Sequence, residues 1–290
     1  MRIFVLGWLM APLWAAPLPD TSAGLTFVST YTHFLDALDK DNFDSIFAGV
    51  QYYRLHSDDL STAERDSACK AFMTFFFATI SHHNDMIWED YDFIARFHED
   101  KQRRSPEVAD YIDALQRNGL DLYTFGRLYY IDQQPEYLFR NFSRYVSPAL
   151  RFYLALRSEE LAVGFSDSDS LLIAFKEAGV RAIRWEQYLN QHPRSVVADF
   201  ADYYRQLYLH TFLTGLERTP VFDPEGGLRP ELSTVYHEFA SRYYDTHAGA
   251  IVREFYIILK EADFRWSPKV RDFYIRRRVQ NMHTAQIPFR

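Results

Sequence analysis

Tyr188-Leu189-Asn190-Gln191-His192-Pro193-Arg194-Ser195-Val196-Val197-Ala198-Asp199-Phe200 is answered, 55 residues later, by Tyr243-Tyr244-Asp245-Thr246-His247-Ala248-Gly249-Ala250-Ile251-Val252-Arg253-Glu254-Phe255. Tyr188, His192, Val197 and Phe200 recur as Tyr243, His247, Val252 and Phe255. Each copy reads as the end of one helix, a turn and the start of the next. A helix–turn–helix unit cannot bury its apolar face alone and must stack on neighbours. The repeat therefore predicts an all-α chain of stacked antiparallel helical hairpins, α-solenoid-like in architecture.

The first copy, with its Tyr-Leu-Asn-Gln-His-Pro-Arg-Ser turn and Ala198 in the following helix, resembles a tetratricopeptide-type hairpin. The resemblance covers about 40 residues, lacks the regular period of about 34 that defines such arrays, and has no match across the first half. It implies an architecture and no catalysis.

Outward from the repeat, apolar spacing is helical almost throughout, as at Leu25, Val28, Tyr31, Phe34, Leu35 and Leu38. Ser105-Pro106, Ser147-Pro148 and Ser267-Pro268 each place a capping hydroxyl before a proline at the first helical position. Ser61 with Glu64 forms a capping box, and Asn118-Gly119 is a stop for the helix opened by Ser105. The expected helices lie near 23–38, 41–54, 62–81, 85–99, 106–118, 120–131, 136–146, 148–163, 170–191, 196–215, 230–244, 248–261 and 268–282. The connection Thr219-Pro220-Val221-Phe222-Asp223-Pro224-Glu225-Gly226-Gly227 is rich in helix breakers. It is the best candidate for a functional loop, against the plainer reading of a connector between helical pairs.

Residues 1–15 read as a secretory signal peptide: Arg2, then an apolar run, with cleavage expected after Ala15. The run is shorter than the roughly 20 residues that a membrane span requires. The remaining 16–290 is expected to form a single helical-repeat domain, periplasmic or secreted, without a membrane span. The single cysteine, Cys69, excludes an intramolecular disulfide and multi-cysteine metal frameworks. With 32 Lys and Arg against 39 Asp and Glu, the chain is net acidic, which disfavours general nucleic-acid binding. The C-terminal cations Arg265, Lys269, Arg271, Arg276, Arg277, Arg278 and Arg290 read as a solvated helix end, the competing reading being a patch for an anionic partner.

Familiar catalytic motifs are missing: there is no phosphate loop, dinucleotide fingerprint or His-Glu-x-x-His helix. Gly164-Phe165-Ser166-Asp167-Ser168 begins like a nucleophile elbow without its closing glycine, and Asp167-Ser168-Asp169 begins like a calcium loop whose later positions are Leu171 and Leu172. Both read as a capped loop entering a helix at 170. His82, His83, Asp85, Glu89, Asp90 and Asp92 form the most suggestive polar cluster, with Asp85 and Glu89 one helical turn apart. Its plainer reading is a helix stop at His82-His83 followed by acids that stabilise the next N-terminus. His192 and His247 read as a repeated capping role.

Four adjacent tyrosine pairs, Tyr52-Tyr53, Tyr129-Tyr130, Tyr203-Tyr204 and Tyr243-Tyr244, can each send one ring to the core and one to a flank. A groove lined by flank rings suits sugars or peptides, with Tyr188, Tyr204, Tyr243 and Trp185 as its candidate binding residues, against the reading of aromatic core packing.

These readings combine into an exported, non-catalytic scaffold or adaptor that binds a protein or peptide in the bacterial envelope. No metal or other cofactor is assigned. The alternative is an exported helical polysaccharide lyase or glycoside hydrolase acting on a glycan, with His83, Asp85 and Glu89 as its catalytic candidates.

Overall fold

The computed structural model describes residues 26–89, 105–125, 128–167 and 169–279. The expected leader, Asp90, Asp92, Ser168, Arg290 and the far end of the helix expected to reach 282 lie outside the described residues. Among those described, the chain is all-α apart from one β-hairpin, with eleven α-helices. In order they are α1 (Phe27–Asp36), α2 (Asp44–His56), α3 (Thr62–Glu89), α4 (Pro106–Arg117), the strands β1 (Leu120–Phe125) and β2 (Leu128–Gln133), α5 (Tyr137–Phe142) and α6 (Pro148–Val163). There follow α7 (Phe175–Gln191), α8 (Ala198–Thr214), α9 (Pro230–Arg242), α10 (His247–Glu261) and α11 (Pro268–Arg277). No helix among the described residues is long and apolar enough to cross a membrane.

The three Ser-Pro starts work as the sequence requires. Ser105, Ser147 and Ser267 accept the backbone N–H of Val108, Leu150 and Val270 at 3.3, 3.2 and 3.4 Å. Ser61 and Glu64 close the capping box, with Glu64 accepting the Ser61 N–H at 3.0 Å.

Two antiparallel hairpins, α7–α8 and α9–α10, form the C-terminal stack and carry the two copies of the repeat. They meet along α7. Gly179 allows the close approach: a Cβ there would stand 2.8 Å from the Phe239 ring of α9 and 2.9 Å from the Phe212 ring of α8. A second tie is polar. Glu186 of α7, almost fully buried, accepts the N–H groups of His247 at 2.6 Å and Ala248 at 2.8 Å, so α10 has its open N-terminal donors satisfied by the neighbouring hairpin. The last helix, α11, packs on α10, and Arg276 and Arg277 in its final turn pair with Glu254.

The N-terminal half is built around α3, whose apolar face buries Cys69, Phe72, Met73 and Phe76. Side chains again bind distant backbone. Asn118 accepts the Phe47 N–H at 3.2 Å near the start of α2, and Asp66 accepts the Ser147 N–H at 2.8 Å ahead of α6. Lys70 of α3 reaches Asp199 of α8 at 2.8 Å, linking the two halves.

The structure corrects three expectations. The helix placed at 120–131 is instead the antiparallel pair β1–β2, in register from Leu120↔Gln133 to Phe125↔Leu128. Gly119, at φ +76, ends the preceding helix, and beyond it Leu120 and Leu122 alternate with Asp121 and Tyr123, a period of two. The stop at His82-His83 does not exist: α3 runs through both to Glu89, and nothing in Thr62–Glu89 is glycine or proline. The helix expected from 170 starts at Phe175, without a side-chain cap.

Candidate functional site

The predicted residues fall into three separate places. Trp185, Tyr188 and Tyr204 belong to the core, with relative exposures of 0%, 0% and 8%. They do not line a surface groove. Trp185 and Tyr204 instead border a buried polar knot where α6, α7 and α8 cross. Its centre is Glu160, which accepts from Trp185 Nε1 at 2.9 Å, Tyr208 Oη at 2.9 Å and Arg157 at 2.7 Å. The Arg157 guanidinium lies 3.8 Å from the centre of the Tyr204 ring, and that of Arg181 lies 5.5 Å from the centre of the Tyr208 ring. Both carboxylate oxygens accept from these donors, so the knot is a hydrogen-bonded network that fixes the helix crossing. The gap beside Arg157, Tyr153 and Gln133 measures about 10 Å³, room for no more than a water molecule.

Tyr188 donates to or accepts from Ser195 Oγ at 2.7 Å, which ties down the first repeat turn. Tyr243, half-buried, packs its ring tilted against that of Phe239 with centroids 4.8 Å apart, and its neighbour Tyr244 is exposed. The two turn histidines differ in role. His192 is the residue that ends α7, whereas His247 begins α10 and is capped by Thr246.

His83 and Asp85 both lie on α3 but do not converge. His83 is buried against the Phe43 ring at 4.0 Å, and its pKa falls to about 4 because burial disfavours the cation and His82 adds like charge. Asp85 is exposed, and Glu89 ends the described part of the helix. His82 pairs with Asp41 at 2.5 Å, and Asn84 turns toward β2, donating to Ile131 O at 2.9 Å and accepting from Ile131 N at 2.7 Å. Among the described residues no three His, Cys, Asp or Glu side chains gather into a metal-holding group.

The hairpin sorts its residues by face. Leu120, Tyr129, Ile131 and Gln133 are buried, while Asp121, Tyr123, Tyr130 and Asp132 share the opposite, half-buried face. Tyr123 and Tyr130 stack at 5.5 Å, and Asp121 stands opposite Asp132. Burial raises the Asp132 pKa, partly offset by the Gln133 N–H and the nearby Arg157 charge.

A wider concavity lies elsewhere, at the connection between α8 and α9. Its walls are Pro220, Phe222, Asp223, Pro224 and Gly226 from the loop, Thr214 at the end of α8, Trp266 just ahead of α11 and Tyr274 in its second half; its volume is about 390 Å³. The loop is held by local chemistry. Gly215, at φ +71, turns the chain out of α8, and Asp223-Pro224-Glu225-Gly226 closes a turn in which Gly226 N–H returns to Asp223 O at 3.0 Å. Asp223 Oδ1 also accepts the Gly227 N–H at 2.7 Å.

Trp266 is delivered by backbone in an unusual conformation. Asp263 and Phe264 are consecutive non-glycine residues at φ +50 and +54, a left-handed pair that costs free energy and persists only where the surroundings enforce it. The enforcing contacts are Trp266 N–H to Gly226 O and Leu228 N–H to Phe264 O, both 2.7 Å. The indole is left 49% exposed, with Phe222 edge-on at 5.5 Å and Tyr274 at 5.8 Å. Tyr274 is anchored by its hydroxyl donating to Leu213 O at 2.7 Å. Sequence reasoning singled out the loop 219–227 but missed Trp266, whose signal is its position next to the Ser267-Pro268 helix start. Comparison with family models, curated proteins and solved structures finds no match to this chain.

Proposed function

We propose that this chain is a non-catalytic binding protein of stacked helical hairpins that holds a protein or peptide segment in the depression around Trp266, in an envelope or extracellular compartment. The observation that carries the reading is the half-exposed Trp266 set among Phe222, Tyr274, Pro220 and Pro224. Rigid aromatic and proline faces bury apolar ligand surface at small entropic cost, and a partly exposed tryptophan in a fixed frame is the usual anchor of a binding hot spot. The volume lies in the range of about 300–1,000 Å³ typical of ligand clefts. The export address rests on residues 1–15 of the sequence.

The test is recovery of the partner by in-cell crosslinking of the tagged chain, repeated with Trp266→Ala and Phe222→Ala. A partner held by the unaltered chain and lost from both variants is the expected result. A partner held equally by all three chains contradicts the site.

A glycan-directed activity is the second reading, and the half-buried face of the hairpin favours it: a stacked tyrosine pair flanked by two carboxylates, one of them with a pKa raised by burial, is suited to sugar binding and proton transfer. Turnover of cell-wall glycan that Asp132→Asn abolishes would support it. Absence of turnover by the unaltered chain removes it.

A further inference from the structure

The hydrogen-bond donors in the walls of the Trp266 depression are largely engaged within the fold. The Thr214 hydroxyl donates to His210 O at 3.0 Å and that of Tyr274 to Leu213 O at 2.7 Å. The N–H of Asp223 goes to Gly227 O at 2.8 Å, that of Gly226 to Asp223 O at 3.0 Å and that of Trp266 to Gly226 O at 2.7 Å. Pro220 and Pro224 have no N–H to offer. What remains is the aromatic surface of Phe222, Trp266 and Tyr274, the indole N–H, and the exposed Asp223 carboxylate. Asp223 Oδ1 accepts the Gly227 N–H at 2.7 Å, which fixes the carboxylate and leaves Oδ2 for a ligand.

We infer that the depression binds a cationic side chain, lysine or arginine, of the partner peptide, with the cation against the rings of Trp266, Phe222 and Tyr274 and its N–H groups toward Asp223. The inference rests on the reading of the depression as a peptide site and deepens it by naming the residue that the peptide must present.

Three observations carry the assignment. The rings stand at angles to one another: Phe222 and Trp266 have centroids 5.5 Å apart and planes at 84°, Trp266 and Tyr274 5.8 Å and 48°. Rings set at such angles form a corner rather than a flat stack, and a cation within about 6 Å of a ring centroid is attracted by the negative face it meets. Charge is complementary. Asp223 and Glu225 are exposed in the loop against one loop-side guanidinium, Arg265, which donates to Glu225 O at 2.7 Å, while Lys269 pairs with Glu261 at 2.8 Å. An anionic group would meet these carboxylates with little but the indole N–H to hold it. Lastly, the mixed lining suits a side chain with an apolar stem and a charged head, since Pro220 and Pro224 offer apolar surface beside the carboxylate. The bonds to Gly226 O and Leu213 O hold the indole and the phenol in place before a ligand arrives, so little ordering opposes the contact.

The experiment uses the full chain, isotopically labelled for nuclear magnetic resonance, and follows the Trp266 indole resonance, identified by its loss in Trp266→Phe. The probes are end-blocked pentapeptides Gly-Leu-Xaa-Leu-Gly in which Xaa is arginine, lysine, norleucine or glutamate, and choline chloride. The arginine and lysine peptides are expected to shift that resonance to saturation and to bind at least about fivefold more tightly than the norleucine peptide, with the glutamate peptide weakest. Asp223→Asn keeps the acceptor for the Gly227 N–H and removes the charge, so it should weaken the arginine peptide about threefold and leave the norleucine peptide unchanged. Equal binding of the arginine and norleucine peptides, no binding of either cationic peptide, or an arginine affinity indifferent to Asp223→Asn overturns the inference. So does choline binding more tightly than both cationic peptides, since the occupant is then a free quaternary ammonium. A partner captured in a Trp266-dependent manner while arginine and norleucine peptides bind alike leaves the function standing and removes only the cation.

Discussion

At the scale of single residues, the stability of the C-terminal stack depends on a few polar side chains that bind at a distance. Glu160 is the most exposed to mutation in this sense. Glu160→Ala leaves Arg157, Trp185 Nε1 and Tyr208 Oη buried without their acceptor, and breaking a buried ion pair from one side typically costs about 3–5 kcal/mol. Urea unfolding should show a loss of that size, whereas a loss under about 1 kcal/mol, the scale of an exposed pair, would mean that the knot is open to water. Two buried histidines give the fold an acid limit. His83 and His210 both have pKa values lowered to about 4, by burial in each case, with like charge from His82 and Arg205 respectively. Unfolded, each binds a proton near 6.5, so between 6.5 and about 4 the unfolded state holds more protons and stability falls as pH falls, by up to about 1.4 kcal/mol per unit for each histidine. The urea midpoint should therefore drop across this window, and His210→Gln should flatten the drop. A midpoint unchanged from pH 7 to 4 would show that neither imidazole is buried neutral. None of this is readable in the sequence: His83 is conspicuous for its neighbours His82 and Asp85, yet its surroundings are Phe43 and the backbone near Lys40, 40 or more residues away in sequence.

At the scale of elements, local signals in the sequence were reliable wherever the deciding chemistry is local. The Ser-Pro caps at 105, 147 and 267, the Ser61–Glu64 box and the Asn118-Gly119 stop all do what their side chains dictate. The β-hairpin was missed because Leu120 to Gln133 is rich in apolar residues that also satisfy a helical spacing, and what selects the strand is tertiary. Asn84 pairs with both backbone groups of Ile131 and so satisfies the free edge of β2. Asn84→Ala should speed amide exchange at Ile131 while leaving the α7–α10 stack unaffected, and unchanged exchange there would contradict this role. In the stack itself, Gly179 is the position where no side chain fits between Phe212 and Phe239. Gly179→Val forces the hairpins apart and should cost about 1–3 kcal/mol, as overpacking does, where Ala250→Val on the less crowded face of α10 should be nearly silent. Equal melting temperatures for the two variants would mean that the hairpins do not stack along α7.

At the scale of the whole molecule, the repeat at an offset of 55 pointed to stacked hairpins because each copy spans the junction between the two helices of a hairpin, although the helix boundaries fall differently: Val197 precedes α8 whereas Val252 lies inside α10. It was insufficient to locate the site. Trp185 and Tyr188, three apart on α7, face the core together, and aromatic content alone does not distinguish a ring packed between helices from one left at a surface. The site around Trp266 is assembled instead from the helix-breaking loop 219–227 and the left-handed pair Asp263-Phe264, which come together only when α8 and α11 are packed. The most direct measurement is site-specific photocrosslinking in cells, with a benzophenone amino acid placed at Glu225, exposed in the loop beside the depression, and, as control, at Arg117 on the exposed end of α4. The account predicts one discrete adduct at 225 that is absent at 117 and is lost when Trp266 is replaced by Ala. Adducts that are the same at both positions, or absent from both, would contradict it.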